Sequence, residues 1–167
     1  MLSRISKSSQ TTKYRGFTLI ELMVVIVMIG ILSAMAAPMF SRVIPRLKTR
    51  AEARNMLNMI RLAKSKAISE NAQFGVYIDA NARTYRLFKD TVSPANATYD
   101  SGDSLITGPV NMDPNVVLVS CSFGNNSVVM LPTGAASQSG NIVVNSTRND
   151  SRYTISVLAA TGKSKIQ

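Results

Sequence analysis

Histidine is absent from this chain of 167 residues, and cysteine occurs once, at Cys121. Without histidine, the chain lacks the usual general base and the commonest metal ligand of proteins. A single cysteine excludes an internal disulfide and a thiolate metal cluster. Its place between Ser120 and Ser122, in a strand-like run, is typical of a small core residue. We therefore expect no catalytic residues and no enzymatic activity.

Cofactor motifs are missing as well. The sequence contains neither a phosphate-binding glycine loop nor a nucleotide fingerprint, so any motor that acts on this protein must be another protein. Asp100 and Asp103 flank a Ser-Gly pair and offer oxygen ligands of the kind that calcium prefers. Two carboxylates in a polar loop are more often simply solvated, so we expect no metal ion and no cofactor.

Positive charge is unevenly distributed along the chain, whose net charge is +10. The first 16 residues carry four basic side chains, residues 42–73 carry a net charge of +6, and the part from Phe74 onward carries only +1. The basic character is therefore a stripe that directly follows an apolar segment. We interpret its row of Arg46, Arg50, Arg54, Arg61 and Lys64 as a solvated helix face or a contact with anionic lipid headgroups.

The apolar segment runs from Gly16 to Ser41 and contains one charged residue, Glu21. Its uncharged part, residues 22–41, has the roughly 20 residues that a helix needs to span the hydrocarbon core of a membrane. An ionisable residue in such a span costs about 2.5–3.5 kcal/mol on insertion scales, so it usually has a partner and a purpose. Glu21 is therefore a candidate functional residue.

A basic leader, the sequence Gly-Phe-Thr-Leu-Ile-Glu at 16–21 and a hydrophobic run that closes near Pro38 together resemble the prepilin signal of type IV pilins and type II secretion pseudopilins. In that family a membrane-embedded aspartic peptidase cuts after the glycine and methylates the new amino terminus. The resemblance implies cleavage between Gly16 and Phe17, which makes Glu21 the fifth residue of the mature chain. It also implies a single-pass protein of the bacterial inner membrane, with its head in the periplasm, that is extracted into a filament.

The resemblance further implies that Glu21 recruits and aligns subunits during filament growth, and elementary electrostatics agrees. If cleavage frees an amine at Phe17, Glu21 of a neighbouring subunit can neutralise it. Opposite charges about 4 Å apart attract far more strongly in a low-dielectric core than in water. The implied partners are other pilin or pseudopilin subunits, the prepilin peptidase and the inner membrane.

Two other interpretations of the amino-terminal segment remain open. An ordinary secretory signal peptide would use the basic front, a core at 22–33 and an Ala-Met-Ala cleavage site at 34–36, but it leaves Glu21 unexplained. A single-span anchor would explain a glutamate near the headgroups but not the Gly-Phe-Thr-Leu before it. Either one would make this an ordinary secreted or anchored β-rich protein.

The whole chain predicts an α+β fold in which a long amino-terminal helix packs on an antiparallel sheet. We expect four segments: a leader at 1–16, a transmembrane helix at 17–41, the amphipathic basic half of the helix at 42–73 and a β-rich head at 74–167. The helix is expected to bend or melt locally at Pro38 and Pro45, because proline lacks the backbone N–H that donates a hydrogen bond within a helix.

The periodicity of apolar residues predicts which side chains are buried within this fold. The apolar face of the basic segment is expected to comprise Ile44, Leu47, Ala51, Met56, Ile60, Ala63 and Ala67. A hairpin is predicted from 75–79 and 83–88, and further strands at 116–119, 127–131, 141–145 and 153–158. The polar stretch from Asp90 to Pro114 predicts a long loop.

Several segments of the head resemble minor pilins and pseudopilins of the GspH/FimT type: residues 53–57, 63–68, 129–134, 140–144 and 161–166. This resemblance implies a minor subunit of a type II secretion pseudopilus or a type IV pilus. The terminal element of that family is usually Gly-Arg-x-Arg, which is linked to DNA capture in the pilin members, and here Lys163 and Lys165 replace both arginines. Lysine keeps the charge but loses the planar bidentate fork. A DNA-capturing pilin of the FimT type is the alternative function.

Overall fold

The computed structural model describes residues 16–167, so all but the last residue of the predicted leader lies outside the described residues. The chain forms two compact units, one ending at Met39 and the other running from Phe40 to Gln167. Helix α1 runs from Leu19 to Glu70. None of the helices described contains a stretch both long enough and apolar enough to cross a membrane.

After the helix, the described chain forms eight strands in two antiparallel sheets. The strands are β1 Phe74–Asp79, β2 Thr84–Lys89, β3 Ser104–Asn111, β4 Val116–Cys121, β5 Ser127–Met130, β6 Gly140–Ser146, β7 Arg152–Leu158 and β8 Lys163–Ile166. The first sheet has the order β3-β2-β1-β5 and the second the order β4-β6-β7-β8. The α+β prediction is confirmed, but the prediction of one sheet is wrong, because the chain leaves the first sheet after β3 and begins a second with β4.

One hydrophobic core joins the helix to both sheets within the second unit. The helix contributes Ala53, Met56, Leu57, Ile60, Ala63 and Ala67, all of them buried. The first sheet contributes Phe74 and Leu87, among others, and the second Ile142 and Ile155. Full burial of one large aliphatic side chain is worth about 1.5–3 kcal/mol, so this face firmly attaches the helix to both sheets.

The predicted apolar face is correct from Met56 onward and wrong before it. The first three residues of that face, Ile44, Leu47 and Ala51, are exposed. The buried positions of this part are instead Pro45, Thr49 and Ala53, which follow each other at intervals of four residues, together with Glu52. Thr49 is accommodated there because its hydroxyl donates a hydrogen bond to the carbonyl oxygen of Pro45 at 2.9 Å.

Neither proline interrupts the helix. Helix α1 is continuous from Leu19 to Glu70, through Pro38 and Pro45, so the predicted local melting is wrong. A proline inside a helix costs about 3 kcal/mol or more. The turns that follow Pro45 bury several side chains completely, and the free energy of that burial exceeds the local cost.

A buried acidic residue links the helix to the first sheet. Glu52 of α1 is buried near the phenol of Tyr85 of β2, which is buried as well. Burial, followed by the negative charge of Glu52, raises the pKa of the Tyr85 phenol. The phenol therefore keeps its proton throughout the physiological range of pH.

The predicted hairpin and the four predicted strands after residue 115 are confirmed, but the loop predicted from Asp90 to Pro114 is wrong in its second half. Ser104–Asn111 forms β3, which pairs with β2 at the edge of the first sheet. This strand is exposed on both faces, so its sequence has no alternation of polar and apolar residues. Two register irregularities and Pro109 disrupt the strand, and such features protect a free edge from pairing with other chains.

The first half of the predicted loop, residues 90–103, covers the face of the first sheet that points away from the helix. Tyr99 stacks on Tyr77 with 4.8 Å between ring centroids, and it contacts Phe88 edge-on at 5.1 Å. The buried carboxylate of Asp103 accepts hydrogen bonds from the backbone N–H groups of Thr91, Val92 and Asp100 at 2.8–3.1 Å. Asp103 is therefore a structural residue of this loop rather than a solvated one.

Asp90, at the start of the same loop, is buried at 4% exposure. Neither of its carboxylate oxygens makes a well-formed hydrogen bond in the described part of the chain. Burial, then the charges of Asp103 and Asp100, raise the pKa of this carboxyl above its usual range, while the backbone N–H of Ser93 opposes the shift. The protonated form is thus favoured in the folded state, and its contribution to stability is lost as the pH rises through the folded pKa.

We expect Asp90→Asn to raise the free energy of unfolding by roughly 1 kcal/mol at pH 7, because it removes a buried charge beside two other acids. At a pH below the pKa of the unfolded carboxyl the gain should disappear, since Asp90 is then neutral in both states. Urea unfolding of the full chain in detergent, at pH 3.5, 5 and 7, measures the difference. A gain that does not depend on pH would contradict the assignment to charge.

Candidate processing and assembly site

The motif at residues 16–21 forms the start of helix α1. Thr18 precedes the first helical residue, Leu19, and its hydroxyl oxygen accepts a hydrogen bond from the backbone N–H of Glu21 at 3.3 Å. The spacing of threonine and glutamate is that of a capping box, and an acidic residue in the first turn is favourable for the helix dipole. The sequence prediction does not include Thr18 as a capping residue, although its spacing from Glu21 is visible in the sequence.

Because the helix begins at Leu19, the Gly16–Phe17 bond lies outside it, in irregular backbone. Gly16 is exposed, and a Cβ added to it would have no heavy atom within 4 Å. The Phe17 side chain is 79% exposed. Both residues of this bond are therefore exposed and precede the helix.

The helix that follows presents its apolar side chains to the surroundings. Every large hydrophobic side chain from Leu19 to Met35 is at least 45% exposed. Glu21 is exposed among them and carries the only charge of residues 16–41. A continuous apolar surface of this kind marks a site of interaction with protein or lipid.

Some basic residues of helix α1 in the second unit form ion pairs and others do not. Lys48 forms a 3.2 Å ion pair with Asp113, and Lys66 forms one of 3.2 Å with Glu70. By contrast, Arg46, Arg50 and Arg54 have no carboxylate within 4.0 Å among the described residues. These three, which we call the arginine row, line one groove beside Tyr153 and Ile166.

Lys64 has a structural role. Its ammonium group donates a hydrogen bond to the carbonyl oxygen of Thr161 at 2.6 Å, which ties the helix to the turn before β8. At the next residue, Gly162, the backbone is left-handed with φ 57°. A Cβ at Gly162 would collide with the carbonyl oxygen of Gly134. The sequence shows neither contact, because both depend on segments that are distant along the chain.

We expect Gly162→Ala to lower the free energy of unfolding by about 2 kcal/mol or more, since the variant combines left-handed strain with a backbone collision. Gly108→Ala is the matched control, because a Cβ at Gly108 has no heavy atom within 4 Å. Urea unfolding of both full-length variants in detergent gives the comparison. Equal stability of the two would contradict the proposed packing of this turn.

Lys163 and Lys165 lie on β8, at one edge of the second sheet, in a segment that was not predicted as a strand. Alternation along the strand exposes both lysines on the same face and buries Ser164 on the other. The lysines line a groove of about 640 Å³ together with polar residues such as Ser156 and Asn141. The structure therefore brings the two sequence-predicted lysines together on one surface.

Cys121, at the end of β4, is half-buried and packs against the core, as its sequence context predicts. Burial raises the pKa of its thiol, so the thiolate form is disfavoured. Among the described residues, no group of three or more acidic or cysteine side chains is placed to hold a metal ion.

Two family models match this chain, one in the head and one near the amino terminus. Residues 52–161 match the family model described as type II transport protein GspH, and residues 11–37 match the prokaryotic N-terminal methylation motif. Over 90 residues the chain is 36% identical to the pilin-like protein PilA1 of Thermus thermophilus, across 53% of this chain and 55% of that protein. The chain thus spans about half the length of this curated relative.

Two solved structures share the fold. The minor pseudopilin EpsH from the type 2 secretion system of Vibrio cholerae has a TM-score of 0.56 and 15% identity, covering 72% of this chain and 96% of that one. The type IV minor pilin FimU of Pseudomonas aeruginosa has a TM-score of 0.56 and 10% identity, covering 73% of this chain and 90% of that one. Identities this low establish a common fold and nothing beyond it.

Proposed function

Because the chain belongs to the GspH family of type II transport proteins, we propose that it is a minor pilin or pseudopilin, a structural subunit of a type II secretion pseudopilus or a type IV pilus. One observation supports the proposal: within the matched methylation motif, Gly16 and Phe17 precede a helix whose apolar side chains are exposed from Leu19 to Met35. An exposed cleavage site suits a subunit that a peptidase processes. An exposed apolar helix suits a subunit that is buried against others on assembly. The role requires no catalytic residue.

The proposal comprises three steps. The prepilin peptidase cuts after Gly16 and methylates Phe17, the apolar segment keeps the subunit in the inner membrane with its head outside the cytoplasm, and other subunits then cover that segment in the filament. The membrane step rests on the absence of charge from residues 22–41 and on the matched methylation motif. In the assembly step, Glu21 pairs with a cation of a neighbouring subunit.

The mature amino terminus tests the proposal directly. Mass spectrometry of protein purified from its native host should find N-methyl-phenylalanine at Phe17. A conventional signal peptidase would instead leave a product that starts near Ala37, and that start would refute prepilin processing. An uncut chain would leave a single-span anchor as the better interpretation.

DNA capture is the second candidate function, favoured by the position of Lys163 and Lys165 on one exposed face. Phosphate contacts need exposed cations, and both lysines qualify. The part of the chain from Phe74 onward carries a net charge of only +1, and lysine lacks the bidentate fork of arginine. We therefore expect weak or undetectable binding of duplex DNA at physiological salt. Salt-sensitive micromolar binding that vanishes in Lys163→Ala/Lys165→Ala would establish this second function.

A further inference from the structure

A groove in the second unit combines positive charge with apolar walls. Val43 and Leu47 of the helix, which are 42% and 58% exposed, line a cavity of about 640 Å³ together with Tyr153 of β7 and Ile166 of β8. The arginine row lies along the same cavity at intervals of four residues, so the three arginines follow one side of the helix. An occupant that fits this groove is therefore anionic in one part and apolar in another.

Carboxylates of the described chain do not neutralise the arginine row. Asp150 lines an adjoining cavity with Arg46 but forms no ion pair with it within 4.0 Å, and the other two arginines have no acidic partner within that distance either. Arg152 lines the adjoining cavity too, which adds to the local excess of positive charge. The charge of the groove therefore favours an anion as its occupant.

The apolar and the charged parts of the groove follow in order along the helix. Val43 and Leu47 lie at the end that comes first in the chain, directly after the uncharged stretch at 22–41, and Arg54 lies at the other end. A helix rises about 1.5 Å per residue, so Arg46 comes about 8 Å after residue 41. In the proposed function that stretch lies in the membrane, where the headgroup region is roughly 5–8 Å thick on each side of the hydrocarbon core. On that basis the groove starts at the depth of the lipid phosphates.

The side chains of the arginine row are suited to hold a phosphate group, because a planar guanidinium donates two parallel hydrogen bonds to one anion. In a helix the Cα–Cβ bonds tilt toward the amino terminus, so Arg46 and Arg50 extend toward the end of the groove where Val43 lies. Tyr153 on the opposite wall fits the same location, since tyrosine is enriched where membrane lipid meets water. Phosphate donors and an apolar surface thus lie side by side in one groove.

We propose that this groove binds one anionic phospholipid, with the lipid phosphate at Arg46 and Arg50 and an acyl chain along Val43 and Leu47. The proposal rests on the proposed function, because that function places residues 22–41 in the membrane. It goes beyond a general attraction of basic residues to an anionic surface, because the apolar walls hold the lipid in one place and one orientation.

Lipid binding by the purified full-length chain in dodecyl maltoside tests the proposal. Native mass spectrometry measures how much anionic dioleoylphosphatidylglycerol and how much zwitterionic dioleoylphosphatidylcholine the chain retains. We expect Arg50→Gln to lower the affinity for phosphatidylglycerol about fivefold, which corresponds to the loss of one cation beside an anionic lipid. Retention of phosphatidylcholine should not change. Arg61→Gln is the matched control, because Arg61 is exposed on the same helix outside the groove. Both variants keep the basic leader and the apolar segment, so the difference between them reports the groove.

Leu47→Ser tests the apolar wall separately from the charge. Leu47 is 58% exposed, so the fold should tolerate the change. We expect retention of phosphatidylglycerol to fall by about threefold or more, since part of the acyl chain loses its apolar contact. Binding of sn-glycerol 3-phosphate, which has the phosphate but no acyl chain, should stay the same. A phosphatidylglycerol with a photoreactive diazirine in its acyl chain should label residues 43–54 in the native chain and label them less in this variant.

The alternatives give different results. Equal effects of Arg50→Gln and Arg61→Gln, or labelling confined to the apolar segment, overturn the lipid site. Glycerol phosphate that binds as tightly as phosphatidylglycerol indicates a simple anion site, and a short DNA duplex that displaces the lipid from the arginines indicates a nucleic-acid site, so either result also overturns it. The mature amino terminus is measured independently. A start at Phe17 without the lipid preference overturns the lipid site alone, whereas a start near Ala37 refutes the proposed function instead.

Discussion

We expect Gly16→Leu to leave the protein as an uncut precursor that retains its leader. The resemblance to prepilins implies a peptidase site at this glycine, which lies within the matched methylation motif at residues 11–37, and a bulky side chain beside the scissile bond should block access to it. The substitution should not disturb the fold, because a Cβ at Gly16 has no heavy atom within 4 Å. Intact-mass measurement of the membrane fraction should therefore show near-complete loss of the chain that starts at Phe17.

Gly30→Leu is the matched control for this experiment. Gly30 is also a glycine of the amino-terminal segment with open space around an added Cβ, but it lies within the helix and away from the cleavage site. We expect this variant to be processed as the native chain is. Efficient production of the Phe17 start from Gly16→Leu would show that another position directs the cleavage.

We expect Glu21→Val to remove the protein from filaments while leaving cleavage intact. Loss of a charge makes the apolar segment more compatible with lipid, so the variant should still reach the membrane and the peptidase. In the filament it would leave a cation of the neighbouring subunit without its counter-charge, and breaking a buried ion pair costs about 3–5 kcal/mol. The ratio of filament-bound to membrane-bound protein, measured in sheared fractions, should fall by at least tenfold.

Two further variants separate charge pairing from helix capping. Glu21→Gln keeps the shape of the side chain and should show the same defect in assembly. Thr18→Ala removes the hydroxyl that accepts the Glu21 N–H but keeps the carboxylate, and a lost cap costs only about 1 kcal/mol. If Thr18→Ala reduced incorporation as strongly as Glu21→Val, Glu21 would act through the start of the helix.

Local patterns in the sequence were enough to predict the fold class, the β1–β2 hairpin and the strands after residue 115. Alternating residues in a strand show which face is buried, and Phe74–Asp79 and Thr84–Lys89 both lie in the sheet with a core face. The prepilin-like motif that contains Glu21 could also be recognised in the sequence. Such a motif is defined by neighbours along the chain and requires no contact with a distant segment.

The remaining features depend on contacts that the tertiary structure alone establishes. Strand β3 is exposed on both faces, so no periodicity marks it, and only its pairing with β2 makes it a strand. Division of the strands into two sheets follows from long-range pairing, and which side of the helix is buried, with Thr49 inside and Leu47 exposed, is decided by packing against segments that come later in the chain. The groove beside Arg50 exists because Tyr153 and Ile166, about a hundred residues later, form its opposite wall. A sequence can show that arginines recur every four residues, but only the folded chain places them opposite an apolar surface.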